Sequence, residues 1–141
     1  MIKRKWYVCE VILKTLTMLD QTITVWGNID QLKQVLTNLL DNAIKHSEAG
    51  GAVRVVLGTN NNDAFISVED SGPGIPKEAL ENIWERFYKV DKSRSRRGTG
   101  TGLGLSIVNK IVEMHGGKVS AESEPGHGAV FTVYLPSAEQ A

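Results

Sequence analysis

Residues 34–47 read QVLTNLLDNAIKHS, and this stretch limits the possible folds more than any other. Wound as a helix, it places Leu32, Val35, Leu36, Leu39, Leu40, Ala43 and Ile44 on one broad apolar stripe, which demands a second layer to cover it. Gln31, Gln34, Asn38, Asn42 and Lys45 step by three or four and share the opposite face. Carboxamides are mediocre helix formers, and Lys or Glu would solvate such a face better. Two Asn one turn apart offer oxygens to a hard cation, and a Lys one turn further on can meet an anion. A merely solvated face is the alternative, and the helix alone does not separate the two.

The totals narrow the context. A chain of 141 residues suits one domain with a sizeable core, so we expect a single unit over 1–141. Sixteen Lys and Arg balance sixteen Asp and Glu, leaving no global field to draw nucleic acid or a membrane surface. Cys9 is the single cysteine, which excludes an intrachain disulfide and a cysteine-based zinc site. No apolar run approaches the ~18 residues that span a bilayer. The opening MIKRKWYVCEVILKTL is basic and then apolar, but Glu10 and Lys14 interrupt it, against a signal peptide. A soluble cytoplasmic domain, cut from something larger, is the expectation.

Along the chain, WYVCEVIL fits either a strand or a buried helix. TITVW, ending at Trp26, is β-branched and runs into Gly27-Asn28, a strand and a turn. Asn28 or Asp30 then caps a helix over 30–46, which Gly50-Gly51 follow. Residues 53–57 and 64–69 read as a hairpin around the polar turn 58–63. DSGPG breaks regular structure, and 77–87 form a short helical pattern with Leu80, Ile83, Trp84 and Phe87 on one side. After a basic stretch, a second helix carries Leu105, Val108, Ile111 and Val112 inward and stops at Gly116-Gly117. Residues 118–123 and 129–135 form a last hairpin, ended by Pro136. Adjacent hairpins favour antiparallel pairing. The expected fold is a two-layer α+β sandwich, a mixed and mostly antiparallel sheet with helices on one face.

Three stretches carry chemistry. DSGPGIP, residues 70–76, starts at a strand end, where Gly72 and Gly74 permit a tight turn and close ligand approach beside the Asp70 acceptor. By itself it is also an ordinary Asx-turn. GTGTGLGLSIV, 98–108, opens directly into a helix, and its N–H groups suit a phosphate. A dinucleotide fingerprint fits it badly, because an Arg-rich loop precedes it, and the chain has no P-loop motif. RFYKVDKSRSRR, 86–97, is a solvated loop by default, yet beside a phosphate cradle its cations can close over a polyphosphate. Combined, the Asn-rich helix face, the Asp-Gly turn and the Gly-rich helix start describe one nucleotide site, supplying in order Mg²⁺ ligands, a base reader and a phosphate cradle.

In this order the stretches resemble the N, G1, F and G2 boxes of the catalytic ATP-binding domain of two-component sensor histidine kinases. That domain shares the Bergerat-type fold with gyrase, heat-shock chaperone and mismatch-repair ATPases. The resemblance covers about 27–136: NLLDNAIKHS, DSGPGIP, WERFYKVDKSRSRR and GTGLGLSIV, closed by HGGKVSAESEPGHGAVFTVYLP. Residues 1–26 match poorly, and 86–101 correspond to the mobile ATP lid. The resemblance implies that Asn38 and Asn42 bind Mg²⁺, with Lys45 on a phosphate and His46 near ribose or phosphate; Asn38 and Lys45 are the catalytic pair. It implies that Asp70 accepts a hydrogen bond from the adenine amine, with Gly72, Gly74 and Ile75 shaping the pocket. An ionised Asp there favours adenine over guanine, which offers a carbonyl instead. It implies that Gly100, Thr101, Gly102, Leu103, Gly104 and Leu105 form the lid hinge and phosphate rim, that Phe87 anchors the lid, and that Tyr88 and Lys89 join the ATP site.

Some positions depart from the pattern. Lys89 stands where relatives often have Arg, keeping charge without a bidentate fork. Ala129 replaces a Thr common on the closing strand, and the region before the N box is short. The largest departure is a missing phosphoacceptor. His46, His115 and His127 are the only histidines, and none lies in an H-E/D-x-x-T/N-P context. The resemblance therefore implies a γ-phosphate donor whose acceptor His lies on a separate helical dimerisation domain. A response regulator would follow as the next partner, and the parent would be membrane-bound. A stand-alone anti-sigma-type serine kinase is the alternative within the superfamily. A degenerate nucleotide-binding regulator is a third reading, disfavoured by intact Asn38, Asn42, Asp70 and glycines.

Overall fold

The computed structural model describes residues 3–5, 16–17, 23–47, 51–85, 104–124 and 126–138, with backbone alone for the first two segments. Strands β1 (Lys3–Lys5), β2 (Leu16–Thr17) and β3 (Thr24–Trp26) precede helix α1 (Ile29–His46). The hairpin β4 (Val53–Asn60) and β5 (Asp63–Asp70) follows, then a 3-10 turn at Lys77–Ala79, helix α2 (Gly104–Met114), and the hairpin β6 (Lys118–Ser123) and β7 (Ala129–Pro136). The main sheet runs β2-β4-β5-β7-β6, with β2 parallel to β4 and every other pair antiparallel. β3 stands outside it, paired with β1 and fastened to the end of β7 by the Val25–Ser137 bridge and the Ala138 N–H to Thr24 carbonyl bond. This is the expected α+β sandwich.

Strand alternation decides the two faces. Val55, Leu57, Ala64, Ile66, Val68, Phe131, Val133 and Leu135 point inward and are buried against the helices. Leu32, Val35, Leu39 and Ala43 of α1, and Val108, Ile111 and Val112 of α2, complete the core. The other face carries cross-strand rows: Arg54 with Glu69, Ser67 with Thr132, and Phe65 with Tyr134, over whose ring lies Lys118. These rows hold the strands in register, although the partly exposed Arg54–Glu69 pair at 3.6 Å adds little stability.

α1 starts where Asn28 accepts a hydrogen bond from the Gln31 N–H at 3.0 Å. Asp30 in its first turn and Lys45 and His46 in its last suit the helix dipole. α2 ends on paired bonds from Gly117 N–H to Val112 and Gly116 N–H to Glu113, a Schellman stop. The helices run antiparallel, tied at two points. Asn38 Nδ2 donates to the Gly104 carbonyl at 3.3 Å, and the Asn28 N–H donates to His115 Nε2 at 3.1 Å. Since Nε2 accepts, Nδ1 carries the proton and donates to the Ile111 carbonyl at 2.7 Å.

Three expectations need correction. Ile44 is 54% exposed: residues 36, 40 and 44 rotate by about 40° per step, carrying Ile44 off the stripe. The polar turn shrinks to Asn61-Asn62, because Asn60 still pairs with Asp63 and Asn61 takes the left-handed conformation (φ 55°). Residues 77–85 are a 3-10 turn and further turns with i to i−3 bonds, not an α-helix. There the burial of Ala79 and Ile83, and Trp84 packed edge-on to Phe131 at 5.9 Å, outweigh helical period. WYVCEVIL lies outside the described residues.

His115→Ala removes the bond to Asn28 that ties the helices and the bond to Ile111 that orients the ring. We expect an unfolding free energy lower by about 1–2 kcal/mol, read as a reduced urea midpoint at unchanged m-value.

Candidate nucleotide site

The site residues converge at one end of the sandwich, where β5 ends, α1 finishes and α2 begins. Asp70 is the last residue of β5 and only 8% exposed. Strand alternation turns it toward the helix layer, and its Oδ1 accepts the Gly72 N–H at 2.9 Å. Gly72 lies against the last turn of α1, where a Cβ would collide with the His46 carbonyl. Ser71 Oγ accepts the Ala52 N–H at 2.9 Å, tying the turn to the approach to β4. Beyond it, Gly74 has φ +86° and Ile75 is half-buried.

On α1, Asn38, Asn42 and Lys45 are half-buried, so their face is not simply solvated. Asn42 Nδ2 is the one buried side-chain polar atom among the described residues with no hydrogen-bond partner. Such an atom costs stability unless a ligand or water meets it. Asn38 uses its Nδ2 on Gly104, which leaves its oxygen outside that bond. Gly104 is exposed and Leu105 half-buried at the start of α2. His46 is exposed as a residue, yet crowding of its ring lowers its pKa below the usual 6.5; Asp70 opposes this shift and Lys45 adds to it. The structure thus brings Asn38, Asn42, Lys45, His46, Asp70, Gly72, Gly74, Ile75, Gly104 and Leu105 to one region. Phe87, Tyr88, Lys89, Gly100, Thr101, Gly102 and Leu103, with the rest of the expected lid, lie outside the described residues.

Residues 27–139 match the family described as histidine kinase-, DNA gyrase B- and HSP90-like ATPases. The chain belongs to this family. Its members are ATPases, and the sensor histidine kinase branch supplies the similar proteins. The sensor histidine kinase RppB of Synechocystis is 44% identical over 114 residues, 81% of this chain and 25% of RppB. Sensor protein SrrB of Staphylococcus aureus is 41% identical over 116 residues, 82% of this chain and 20% of SrrB. The chain therefore spans a quarter or less of these relatives. Among solved structures, the mycobacterial sensor histidine kinase MprB superposes with a TM-score of 0.76 at 34% identity, over 87% of this chain and 80% of that one. No described helix of this ATPase domain is long and apolar enough to cross a membrane.

Sequence reasoning assigned no role to Ser71 or Ser123. Ser71 had a visible context inside DSGPG; Ser123 is one polar residue at a strand end, with no spacing to mark it.

Two outcomes follow. Gly72→Ala should lower stability by about 1–3 kcal/mol through overpacking, whereas Gly104→Ala, with nothing within 4 Å of the new Cβ, should not; parallel urea titrations compare them. His46 binds protons more weakly folded than unfolded, so its contribution is present above pH 6.5 and lost as pH falls through the lowered value. His46→Gln should therefore show a smaller stability loss on acidification, measured as unfolding midpoints between about pH 7 and 5.

Proposed function

We propose that this domain binds Mg·ATP between α1 and the turn after β5, and that it is the catalytic part of a sensor histidine kinase. In this reading it presents the γ-phosphate to a histidine on a separate helical dimerisation domain. The carrying observation is the buried Asp70 carboxylate, held by Gly72 beside a helix whose Asn42 has a buried, unpartnered amide. Asp70 Oδ1 is committed to the turn, so Oδ2 is the atom left to accept from the adenine amine. The Gly72–Ile75 backbone forms the wall of the base pocket. In this reading Asn42 Nδ2, which has no hydrogen-bond partner among the described residues, would donate to a phosphate oxygen, and the carboxamide oxygens of Asn38 and Asn42 would meet the metal. Carboxamide oxygens suit Mg²⁺, which favours few protein ligands together with phosphate oxygens. The bound metal would neutralise charge on the triphosphate. Lys45 adds a cation one turn from Asn42, and the start of α2 adds the positive end of a helix. The chain's own work is positioning and charge neutralisation, without a covalent intermediate. The solved relative ShkA, 34% identical with a TM-score of 0.70 over 84% of this chain and 24% of that one, is described in complex with AMPPNP.

Both ring nitrogens of His115 are engaged, which argues against an acceptor role there, and His127 lies in the β6–β7 turn outside any H-E/D-x-x-T/N-P context. The reading places the acceptor histidine elsewhere in a longer, membrane-bound parent, with this domain cytoplasmic and a response regulator as the next partner. The histidine kinase names of the relatives favour it over serine phosphorylation.

Asp70→Asn keeps the acceptor for Gly72 but turns a donor toward the adenine amine. Its affinity for Mg·ATP should fall by roughly two orders of magnitude with the fold intact, as calorimetry and circular dichroism would show; unchanged affinity defeats the assignment. Incubated with labelled ATP and a His-bearing helical-hairpin domain, the chain should yield an acid-labile phosphate, and an acid-stable product would indicate a hydroxyl acceptor instead.

A further inference from the structure

Ser123, at the end of β6, stands outside every role assigned above. Its Oγ accepts the Ile75 N–H at 2.7 Å and donates to the Gly128 carbonyl at 2.7 Å. A hydroxyl has one proton to give, and here it is given to Gly128 while a lone pair takes Ile75. The single side chain thus bridges the turn after β5 and the turn between β6 and β7. Two neighbouring contacts follow the same line. The Gly126 N–H donates to the Pro73 carbonyl at 2.8 Å, and Gly128 (φ +80°) passes so close under Asp70 that a Cβ would strike its carbonyl.

We infer that Ser123 is a positioning residue for base selection: its hydroxyl fixes the 72–75 backbone relative to Asp70, and so sets how well adenine is told from guanine. The inference rests on the nucleotide reading given above. It follows from how the turn is held. One side of the turn is fixed by α1 through Gly72 and by Ser71, both near Asp70. Among the described residues, the far side, Pro73 to Ile75, is hydrogen-bonded to the β6–β7 hairpin alone, and Ser123 supplies the only side chain in that attachment. Without the hydroxyl, the Ile75 N–H and the Gly128 carbonyl lose their partners, and the pocket wall can shift while Asp70 stays anchored. Discrimination between bases requires both parts in register, because it compares one hydrogen bond to Asp70 with the fit of the ring against the wall. Phosphate contacts from α1 and α2 do not depend on this attachment.

The test compares ATP and GTP binding, with Mg²⁺, by calorimetry for the wild type, Ser123→Ala and Ser123→Thr. Wild type should prefer ATP. Ser123→Ala should bind ATP roughly tenfold more weakly, with GTP affected much less, so that selectivity narrows. Ser123→Thr retains the hydroxyl and should restore most of the preference. Amide exchange in the nucleotide-free protein should show Ile75 protected in the wild type and Thr variant and faster in the Ala variant. A purely structural role would lower the unfolding midpoint and scale both affinities together, and that result overturns the inference. Full selectivity in Ser123→Ala also overturns it, while leaving the nucleotide reading standing. Failure of the folded wild type to bind Mg·ATP sinks that reading and this inference with it.

Discussion

The approach of Gly72 to the His46 carbonyl is the contact on which the rest of the site depends. It brings the C-terminal turn of α1 against the turn that leaves β5, with no room for a side chain between them. Asp70 can then be buried at the strand end, because its carboxylate is met at once by the Gly72 N–H. A bulkier residue at position 72 would push the helix end away from the strand end. Asn42 and Lys45 would move with it, since they share a rigid helix with His46.

The two helices are held at the right height by separate means. The hydrophobic core fixes their distance from the sheet, through Val35, Leu39, Val108 and Val112, all fully buried. Core packing does not by itself prevent one helix sliding along the other. The Asn28–His115 and Asn38–Gly104 bonds, near opposite ends of α2, oppose that slide. His115 is therefore structural, although histidine in this kind of protein invites a chemical reading.

Much of this was legible in the sequence, for identifiable reasons. The α1 pattern announced a one-sided helix, and period-two alternation with turn residues announced both hairpins. Asp70 and Gly72 stood out as a carboxylate at a strand end followed by glycine, a pattern that by itself also fits an Asx-turn, and only the ordered boxes of the resemblance gave them a role. The misses have separate causes. Ile44 drifts off the apolar stripe by about 40° per four-residue step, and residues 77–85 follow the pull of Ala79, Ile83 and Trp84 instead of a 3.6-residue repeat. The removal of β3 from the main sheet could not be read, since a three-residue strand carries no information about its partner. Ser123 was invisible because its meaning depends on Ile75, 48 residues away.

That separation has a consequence for biosynthesis. A chain emerging from the ribosome presents α1 and the β4–β5 hairpin first, and these local elements can begin to form as they appear. The turn after β5 must wait for residues 123–128 before its far side is tied, and α1 must wait for His115 before its start is tied. Contacts of such long range close late. A nascent chain stalled before β6 would hold every residue of α1 and of the Asp70 turn, yet lack Ser123, Gly126 and Gly128, which hold the far side of that turn. Competence at this site is thus a property of the finished chain, and a truncation within the last hairpin is expected to silence it without touching a single residue of the pocket.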